Sequence, residues 1–206
     1  MIGTRTSLSD ESGHCSRWIH ADFALRAEIE TCADEIRKFE PDILINNAGI
    51  NIISPFQEIK CEDFLKIHQV NVFAPFVFCQ AAITGMLSKN WGRIINISSI
   101  WGKISKEFRA SYSASKFALD GLTTALSAEH SKNGILANCV LSGFIDTDMT
   151  RQILGESGIQ NLVNLVPAKR LGTTPEIAKF ILWLASEENT YLTGQNIAID
   201  GGFTRV

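Results

Sequence analysis

The feature that most constrains the fold of this sequence is the regular alternation of short apolar runs with longer segments of helical periodicity. No low-complexity tract or linker rich in Pro, Gly or Ser divides the alternation, so we expect one domain over residues 1–206. Strands and helices in alternation predict an α/β fold in which helices cover a parallel sheet. The predicted strands are Met1–Thr4, Trp18–Ala21, Asp42–Asn46, Arg93–Ile97, Ile135–Leu141 and Asn196–Ile199.

Segments with helical spacing lie between these runs. In Leu25–Phe39 the apolar residues recur every three or four positions and charged residues occupy the other face. Further helices are predicted at about Glu62–Ser88, Ser111–Lys132 and Pro175–Ala185. This order places a helix after most of the predicted strands.

The overall charge favours a small-molecule partner. A net charge of −3 and a pI near 5.8 give no basic surface for nucleic acid or for an anionic membrane. The most apolar stretch, Val72–Leu87, is interrupted by Pro75, Gln80 and Thr84 and is shorter than the roughly 20 residues of a membrane span. We therefore expect it to be a buried helix at a subunit interface.

The cysteines and histidines indicate neither disulfides nor a metal site. The five cysteines include no C-x-x-C pair, and an odd number argues against a closed disulfide framework. Reduced thiols, together with an N-terminus that lacks the apolar core of a signal peptide, favour a cytoplasmic location. His14, Cys15 and His20 match no zinc-binding spacing, so no metal is expected.

A tyrosine and a lysine, Tyr112 and Lys116, lie four residues apart at the start of a predicted helix. Side chains at this spacing share one helix face, so the ammonium can act on the phenol. A free tyrosine has a pKa of about 10, and a nearby cation favours its ionised form, as acid–base catalysis near neutrality requires. Alone the pair is weak evidence, because most such pairs are surface contacts on helices.

Three loops follow predicted strands and should meet the Tyr112 helix at the carboxyl edge of the sheet, where such folds bind ligands. Ser99 ends a strand-like run, Asn46–Gly49 follows another, and Gly143 with Thr147 follows a third. A serine hydroxyl at this edge could hydrogen-bond a substrate oxygen beside the phenol. Each loop taken alone could be an ordinary turn, since Ser, Asn and Gly are common turn residues.

Taken together, in this order and spacing, these motifs resemble those of the short-chain dehydrogenase/reductase family from about Trp18 to the C-terminus. The resemblance implies a Rossmann-like doubly wound sheet and an oxidoreductase that interconverts a ketone and a secondary alcohol by NAD(P)-dependent hydride transfer. It also implies a catalytic tetrad, which consists of Asn71, Ser99, Tyr112 and Lys116. From the residues alone, Asn71 would be no more than a polar residue within a long helix.

The resemblance implies a role for each member of the tetrad. Tyr112 would be the general acid for ketone reduction, and Ser99 would orient and polarise the carbonyl. Lys116 would lower the pKa of the phenol and bind the nicotinamide ribose. Asn71 would hold a water that links the lysine to a proton relay.

Further positions match the family's cofactor path. Asp22 would contact adenine, and Asn47, Ala48 and Gly49 would line the adenosine side. The nicotinamide amide would be held by a second loop, although Ser142 stands where the family usually has proline. The residues matched in that loop are Gly143, Ile145 and Thr147.

The N-terminus departs from the family pattern. No G-x-x-x-G-x-G or G-x-G-x-x-G motif occurs, and Met1–Thr6 matches the second strand and its exit. We therefore expect a fold that lacks the first strand, the glycine-rich loop and the first helix, roughly thirty residues of a Rossmann unit. Both neighbours of that strand should have unpaired backbone, and NADPH binding should be weakened. A mis-called start, a gene fragment and a genuine truncation would give the same sequence.

Arg5 bears on the choice of cofactor. At the exit of the second strand it could pair with a 2′-phosphate, which favours NADP, with NAD as the alternative. A solvated surface arginine would look the same in the sequence.

The substrate is expected to be a small carbonyl or alcohol compound. The run Val166–Gly172 and the overall pattern resemble 3-oxoacyl-acyl-carrier-protein reductases. Substrate contacts should come from Ile100–Phe108 and Asp148–Leu165, where four apolar side chains suggest a pocket: Trp101, Phe108, Met149 and Leu154. A homodimer or homotetramer is expected through the helix after Tyr112 and the apolar helix before it. The competing hypothesis is a non-catalytic homologue that serves as a binding or assembly protein.

Overall fold

Parallel strands form two sheets in the computed structural model. The structure describes residues 1–6 and 15–205, without the side chains of residues 148, 149 and 152–154. One sheet contains β1 and β2, and the other has the order β3-β4-β5-β6. The strands are β1 Ile2–Arg5, β2 Arg17–His20, β3 Ile43–Asn46, β4 Gly92–Ser99, β5 Ile135–Ser142 and β6 Asn196–Ile199. The six predicted strands are confirmed to within two residues at each end.

Helices connect the strands and cover both faces of the larger sheet. They are α1 Arg26–Phe39, α2 Cys61–His68, α3 Ala74–Lys89, α4 Ala110–His130, α5 Asp148–Leu165 and α6 Thr174–Ala185. A capping box between Thr173 and Glu176 fixes the start of α6, where both partners bond backbone groups. α5 was expected only as a substrate-contacting segment; its apolar residues favour no face, and Gly155 (φ 60°, ψ 177°) interrupts it. The parallel α/β fold with helices on both faces is therefore confirmed.

A π-helical turn, Gln69–Phe73, joins α2 to α3, so the chain is helical from Cys61 to Lys89. This run agrees with the helix predicted at about Glu62–Ser88. Its length, and a mean hydropathy of 1.6 over its most apolar window, would suffice for a membrane span. However, 61% of its most apolar window is buried inside the fold. The run is therefore a core helix that packs against the sheet.

Both faces of β4 carry core residues. Ile94 packs in a cluster with residues of α3, including Met86, whereas Ile95 packs with Ile177 and Leu184 of α6. Alternate side chains of a strand point to opposite faces, so near-continuous apolar runs are what a doubly covered parallel strand needs. This core fixes the positions of β4 and β5 in the sheet. The candidate site lies at the carboxyl ends of these two strands.

β1 and β3 are edge strands of the two sheets and are not paired with each other. In the described residues, β1 pairs only with β2, and β3 pairs only with β4. Ile43 and Ile45 of β3 are 43% and 45% exposed, which is high for isoleucines in a parallel strand. Within the described residues, β1 and β3 therefore each have one edge without a strand partner, as expected.

Candidate active site

Lys116 and Tyr112 meet near the start of α4, as their spacing predicts. The Lys116 Nζ atom lies 5.6 Å from the centre of the Tyr112 ring and donates a hydrogen bond of 2.9 Å to the carbonyl oxygen of Ile97. The side chain is almost fully buried, and this burial lowers the pKa of Lys116 to about 8. Near neutrality the buried group therefore remains mostly cationic.

The Tyr112 phenol has a raised pKa, because burial outweighs the interactions that stabilise its ionised form. Hydrogen bonding from Ser99 and the charge of Arg109 act in the opposite direction. The net shift of this pKa is therefore opposite in direction to the lowered pKa that was expected. A raised pKa keeps the phenol protonated near neutrality, which is the state a proton donor needs.

Ser99 ends β4 beside this phenol. It is 7% exposed, and its Oγ accepts a hydrogen bond of 3.3 Å from the Trp101 amide. In the sheet register Ser99 is level with Ser142 at the end of β5. The hydroxyl predicted at the carboxyl edge therefore lies there, within reach of Tyr112.

Asn71 occupies the π-helical turn, a kind of insertion that occurs frequently at functional sites. Its side chain is fully buried. The Nδ2 atom donates to the Ile50 carbonyl at 2.9 Å and to Ser115 Oγ at 3.0 Å, and Oδ1 accepts from the Ile50 amide at 2.9 Å. Asn71 thus ties the loop after β3 to the helix that carries Tyr112 and Lys116.

The loop of Asn47, Ala48 and Gly49 is exposed and passes close to the tetrad. A Cβ atom placed on Gly49 would lie 3.5 Å from both Asn71 Oδ1 and Lys116 Nζ. The glycine backbone therefore borders these two polar groups with no side chain of its own between them. A bound molecule could approach the ammonium along this backbone.

The loop after β5 starts with a close approach to β6. The Gly143 amide donates to the Ile199 carbonyl at 3.0 Å, and a Cβ on Gly143 would come within 2.6 Å of Asp200 Cα, so only glycine fits. Ile145 forms an isolated parallel bridge with Gly172. Thr147 caps α5, because its Oγ1 accepts from the Thr150 amide at 3.2 Å.

Arg5 ends β1 and Asp22 follows the end of β2 by two residues, so both lie at the carboxyl end of the two-stranded sheet. The Arg5 guanidinium is 5.3 Å from the Trp18 ring centre. The backbone carbonyl of Arg5 accepts a hydrogen bond from the Ala21 amide. Asp22 Oδ1 accepts from the Ala24 amide at 2.9 Å, which closes a turn before α1. The two candidate residues for the adenosine end are therefore neighbours in space.

Asn46, Asn96 and Thr123 form a buried polar chain, of which the sequence analysis noted only Asn46, as part of a loop. Asn46 Nδ2 donates to Asn96 Oδ1 at 2.8 Å, and Asn96 Nδ2 donates to Thr123 Oγ1 at 2.8 Å. The chain links β3, β4 and α4, so it fixes α4 against the strand whose Ile97 carbonyl holds Lys116. An asparagine between isoleucines in a buried strand was the available signal, because buried amides must find partners.

An aromatic cluster lies beside Ser99, whose Oγ accepts from the Trp101 amide. Trp101 is 8% exposed, with ring centres of Phe144 and Phe203 at 6.2 and 6.4 Å. Phe108, another predicted pocket residue, is 50% exposed. The side chains of the remaining two, Met149 and Leu154, lie outside the described residues.

Comparisons with known proteins give consistent matches over the whole chain. Residues 4–204 match a family model described as enoyl-(acyl carrier protein) reductase. The 3-oxoacyl-[acyl-carrier-protein] reductase of Escherichia coli is 36% identical over 214 residues, covering all of this chain and 87% of that protein. Among solved structures, 4-hydroxyisoleucine dehydrogenase complexed with NADH gives a TM-score of 0.92 at 28% identity, covering all of this chain and 88% of that one. A blue fluorescent protein from a metagenomic library, in complex with NADPH, gives 0.88 at 34% identity, covering 98% and 86%.

Proposed function

Because the chain belongs to the short-chain dehydrogenase/reductase family of NAD(P)-dependent enzymes, we propose that it reduces a ketone to a secondary alcohol with NADPH, and catalyses the reverse reaction with NADP⁺. The observation that carries the proposal is the buried Lys116 ammonium 5.6 Å from the ring of a protonated Tyr112, which lies beside Ser99. A proton donor, a hydroxyl and a buried cation are the groups that carbonyl reduction requires.

The chemistry divides between the cofactor and four side chains. Bound NADPH would supply the hydride to the carbonyl carbon. Tyr112 donates its proton to the carbonyl oxygen, and the resulting phenolate is stabilised by the Lys116 ammonium and by Ser99. Asn71 holds the Ile50 loop against α4 through Ser115, and we assign it the anchoring of a proton relay from Lys116.

The residues at the sheet edge fit a nicotinamide cofactor. The Lys116 ammonium has three N–H donors, and the hydrogen bonds of the described residues use one of them, to Ile97. Two donors remain for ribose hydroxyls, and the bare backbone at Gly49 gives access to them. We propose that Asn47, Ala48 and Gly49 line the adenosine side and that Gly143, Ile145 and Thr147 hold the nicotinamide amide.

We propose NADP rather than NAD as the preferred cofactor. Arg5 and Asp22 lie together at the ends of β1 and β2, where a guanidinium could pair with a 2′-phosphate and Asp22 could contact adenine. Relatives support this choice, since several structural neighbours hold NADP or NADPH and one holds NADH. The Arg5 guanidinium is the feature that favours NADP.

A 3-oxoacyl thioester is the first substrate to test, because the E. coli relative that matches along the whole chain is a 3-oxoacyl-[acyl-carrier-protein] reductase. The assay is the loss of NADPH absorbance in the presence of an acetoacetyl thioester. We expect turnover with the thioester and none without it. A protein that binds NADPH but reduces no ketone would instead favour the non-catalytic binding or assembly alternative.

We further propose a cytoplasmic homodimer or homotetramer that associates through α3 and α4. A cavity of about 250 Å³ lies between these helices, lined by Phe76, Ile83, Leu122 and Leu126 among others. Phe76 is 41% exposed and Phe117 of α4 is 47% exposed, which is the kind of apolar surface that subunits bury. Sedimentation that shows only monomer at micromolar concentration would contradict this assembly.

A further inference from the structure

Arg109 borders the candidate active site but has no part in the proposed proton transfer. It is the last residue before α4, three positions before Tyr112, and its carbonyl accepts a hydrogen bond of 2.7 Å from the Ser113 amide. Its guanidinium carbon lies 6.0 Å from the ring centre of the buried Trp101. The cation is also close enough to the Tyr112 phenol to favour the ionised form of that phenol. Arg109 therefore places a positive charge beside the phenol that is the proposed proton donor.

The guanidinium lacks the partners that such a group normally has. Its Nε atom is buried without a hydrogen-bond partner, and no ion pair of Arg109 occurs within residues 1–6 and 15–205. Buried donors in proteins are almost always bonded, and a desolvated cation without an acceptor is unfavourable. An anionic acceptor from outside the chain would bond the buried Nε and would also offset the desolvation of the cation.

Arg93 provides an internal comparison, because it also stacks on a tryptophan and is also partly desolvated. Its guanidinium donates to four backbone carbonyls, so it serves the structure. The acceptors are the carbonyl oxygens of Gly92, Gly134, Ser186 and Asn189. Arg109 has the same setting without those bonds, which distinguishes a recognition residue from a structural one.

The backbone before Arg109 is strained. Phe108 has a φ of +66°, in the left-handed region that bulky residues rarely adopt. Its side chain is half exposed, and its carbonyl accepts a long hydrogen bond of 3.4 Å from the Ser54 amide. Strained residues concentrate at ligand sites, and this one sets the direction in which the chain enters Arg109.

We propose that Arg109 binds a carboxylate of the substrate, so that the enzyme acts on ketones that carry an acid group a few bonds from the reacting carbonyl. The planar fork of a guanidinium matches the two oxygens of a carboxylate. Because Tyr112 marks the position of the carbonyl oxygen, an acid group held by Arg109 must be close to it in the same molecule. The inference rests on the proposed ketone reduction and refines its substrate class: a free oxo acid, or a thioester whose acyl chain bears a carboxylate, is favoured over an uncharged acyl chain.

The first test measures binding, without turnover. Acetoacetate and its uncharged methyl ester are titrated calorimetrically against the wild-type protein and against Arg109→Gln. We expect the wild type to bind the acid more tightly than the ester, and Arg109→Gln to lose about thirtyfold of that preference, the size expected for one charge-assisted hydrogen bond. Equal binding of acid and ester by the wild type would overturn the proposal.

The second test measures the ratio of kcat/KM for acetoacetate to that for methyl acetoacetate with NADPH. A ratio cancels effects on folding and on steps common to both substrates, and thermal melting checks that each variant is folded. We expect the ratio to fall about thirtyfold in Arg109→Gln, to recover in part in Arg109→Lys, and to change less than about twofold in Arg37→Gln, an exposed arginine of α1 that pairs with Asp34.

The two tests separate this inference from the proposed function. If neither ketone is reduced but acetoacetate binding still depends on Arg109, ketone reduction fails and the carboxylate site stands. If both ketones are reduced with the same ratio in the wild type and Arg109→Gln, the proposed function stands and the role of Arg109 is refuted.

Discussion

The four-stranded and two-stranded sheets of this protein differ in how firmly they fix their residues. In β4 and β5 all residues except Ile97 and Ser142 are buried, and both strands pair on each side. In β1 and β2 no residue is fully buried, and the strands pair only with each other within the described chain. The tetrad lies against the first sheet, whereas Arg5 and Asp22 lie at the end of the second.

The larger sheet positions the residues of the chemical step and the smaller sheet positions Arg5, although one bound cofactor would contact both regions. The position of Tyr112 and Lys116 is determined by core packing and by the buried Asn96–Thr123 bond. The position of Arg5 depends on few buried contacts, with Trp18 as its ring partner. We therefore expect changes beside the larger sheet to alter chemistry and stability strongly, and changes at the smaller sheet to alter mainly the preference among cofactors.

The largest effect is expected from Tyr112→Phe. Removal of the phenol oxygen deletes the proton donor beside the four-stranded sheet, and turnover should fall at least about a hundredfold. Affinity for NADPH should be preserved, because the ring remains in place. Steady-state rates and a fluorescence titration with NADPH measure both quantities, and a near-normal rate would remove Tyr112 from the mechanism.

A matched pair of core truncations tests the difference in stability between the sheets. Ile94 of β4 is fully buried, so Ile94→Ala should lower the free energy of unfolding by about 2–5 kcal/mol. Ile19 of β2 is only partly buried, and Ile19→Ala should cost less than about 1 kcal/mol. Urea denaturation gives both values. Equal losses would show that the two sheets are fixed equally firmly.

The pKa of Lys116 predicts a pH dependence of cofactor binding. Since burial lowers this pKa to about 8, the ammonium loses its proton as the pH rises through 8, and NADPH affinity should fall about tenfold between roughly pH 7 and pH 9. The free protein should become more stable as the pH rises from about 8 towards the pKa of an unfolded lysine, because the unfolded chain then holds more protons.

Lys116→Arg is the control for this profile, because an arginine stays charged over the whole range. Its NADPH affinity should be nearly independent of pH, whatever its absolute value. The same fall with pH in the arginine variant would assign the effect to another group.

The smallest effect is expected at the two-stranded sheet. Arg5→Gln should lower the ratio of NADPH affinity to NADH affinity by about tenfold, since one charged contact to a phosphate from a half-buried side chain is lost. Turnover at saturating cofactor should change little by comparison. An unchanged ratio of affinities would make Arg5 a surface residue that only stacks on Trp18.

The same contrast describes how far the sequence predicts the structure. Strands such as Ile135–Ser142 follow from their apolar runs, and the meeting of Tyr112 with Lys116 follows from helical spacing. The π-helical turn around Asn71 does not follow, because its sequence continues an apolar helix and the insertion depends on bonds to Ile50 and Ser115. A π-helical turn of this kind depends on tertiary contacts, which the periodicity of the sequence does not indicate.

The charge environment was also beyond the sequence. The Lys116 ammonium was expected to dominate the pKa of Tyr112, yet burial dominates it and raises it. Likewise nothing in the sequence distinguishes Arg109, without a hydrogen-bond partner for Nε, from Arg93, which has four backbone acceptors. Desolvation and bonding are properties of the packed chain, so they require coordinates.

The most direct test of hydride transfer assisted by Tyr112 as proton donor follows an isotope label. NADPH that carries deuterium at the reactive C4 position of the nicotinamide is incubated with acetoacetate and the wild-type protein, and the product is analysed by NMR. We predict deuterium on the newly formed carbinol carbon, at a rate at least about a hundredfold greater than with Tyr112→Phe. An absence of labelled alcohol with the wild type, or equal labelling by Tyr112→Phe, would contradict the account.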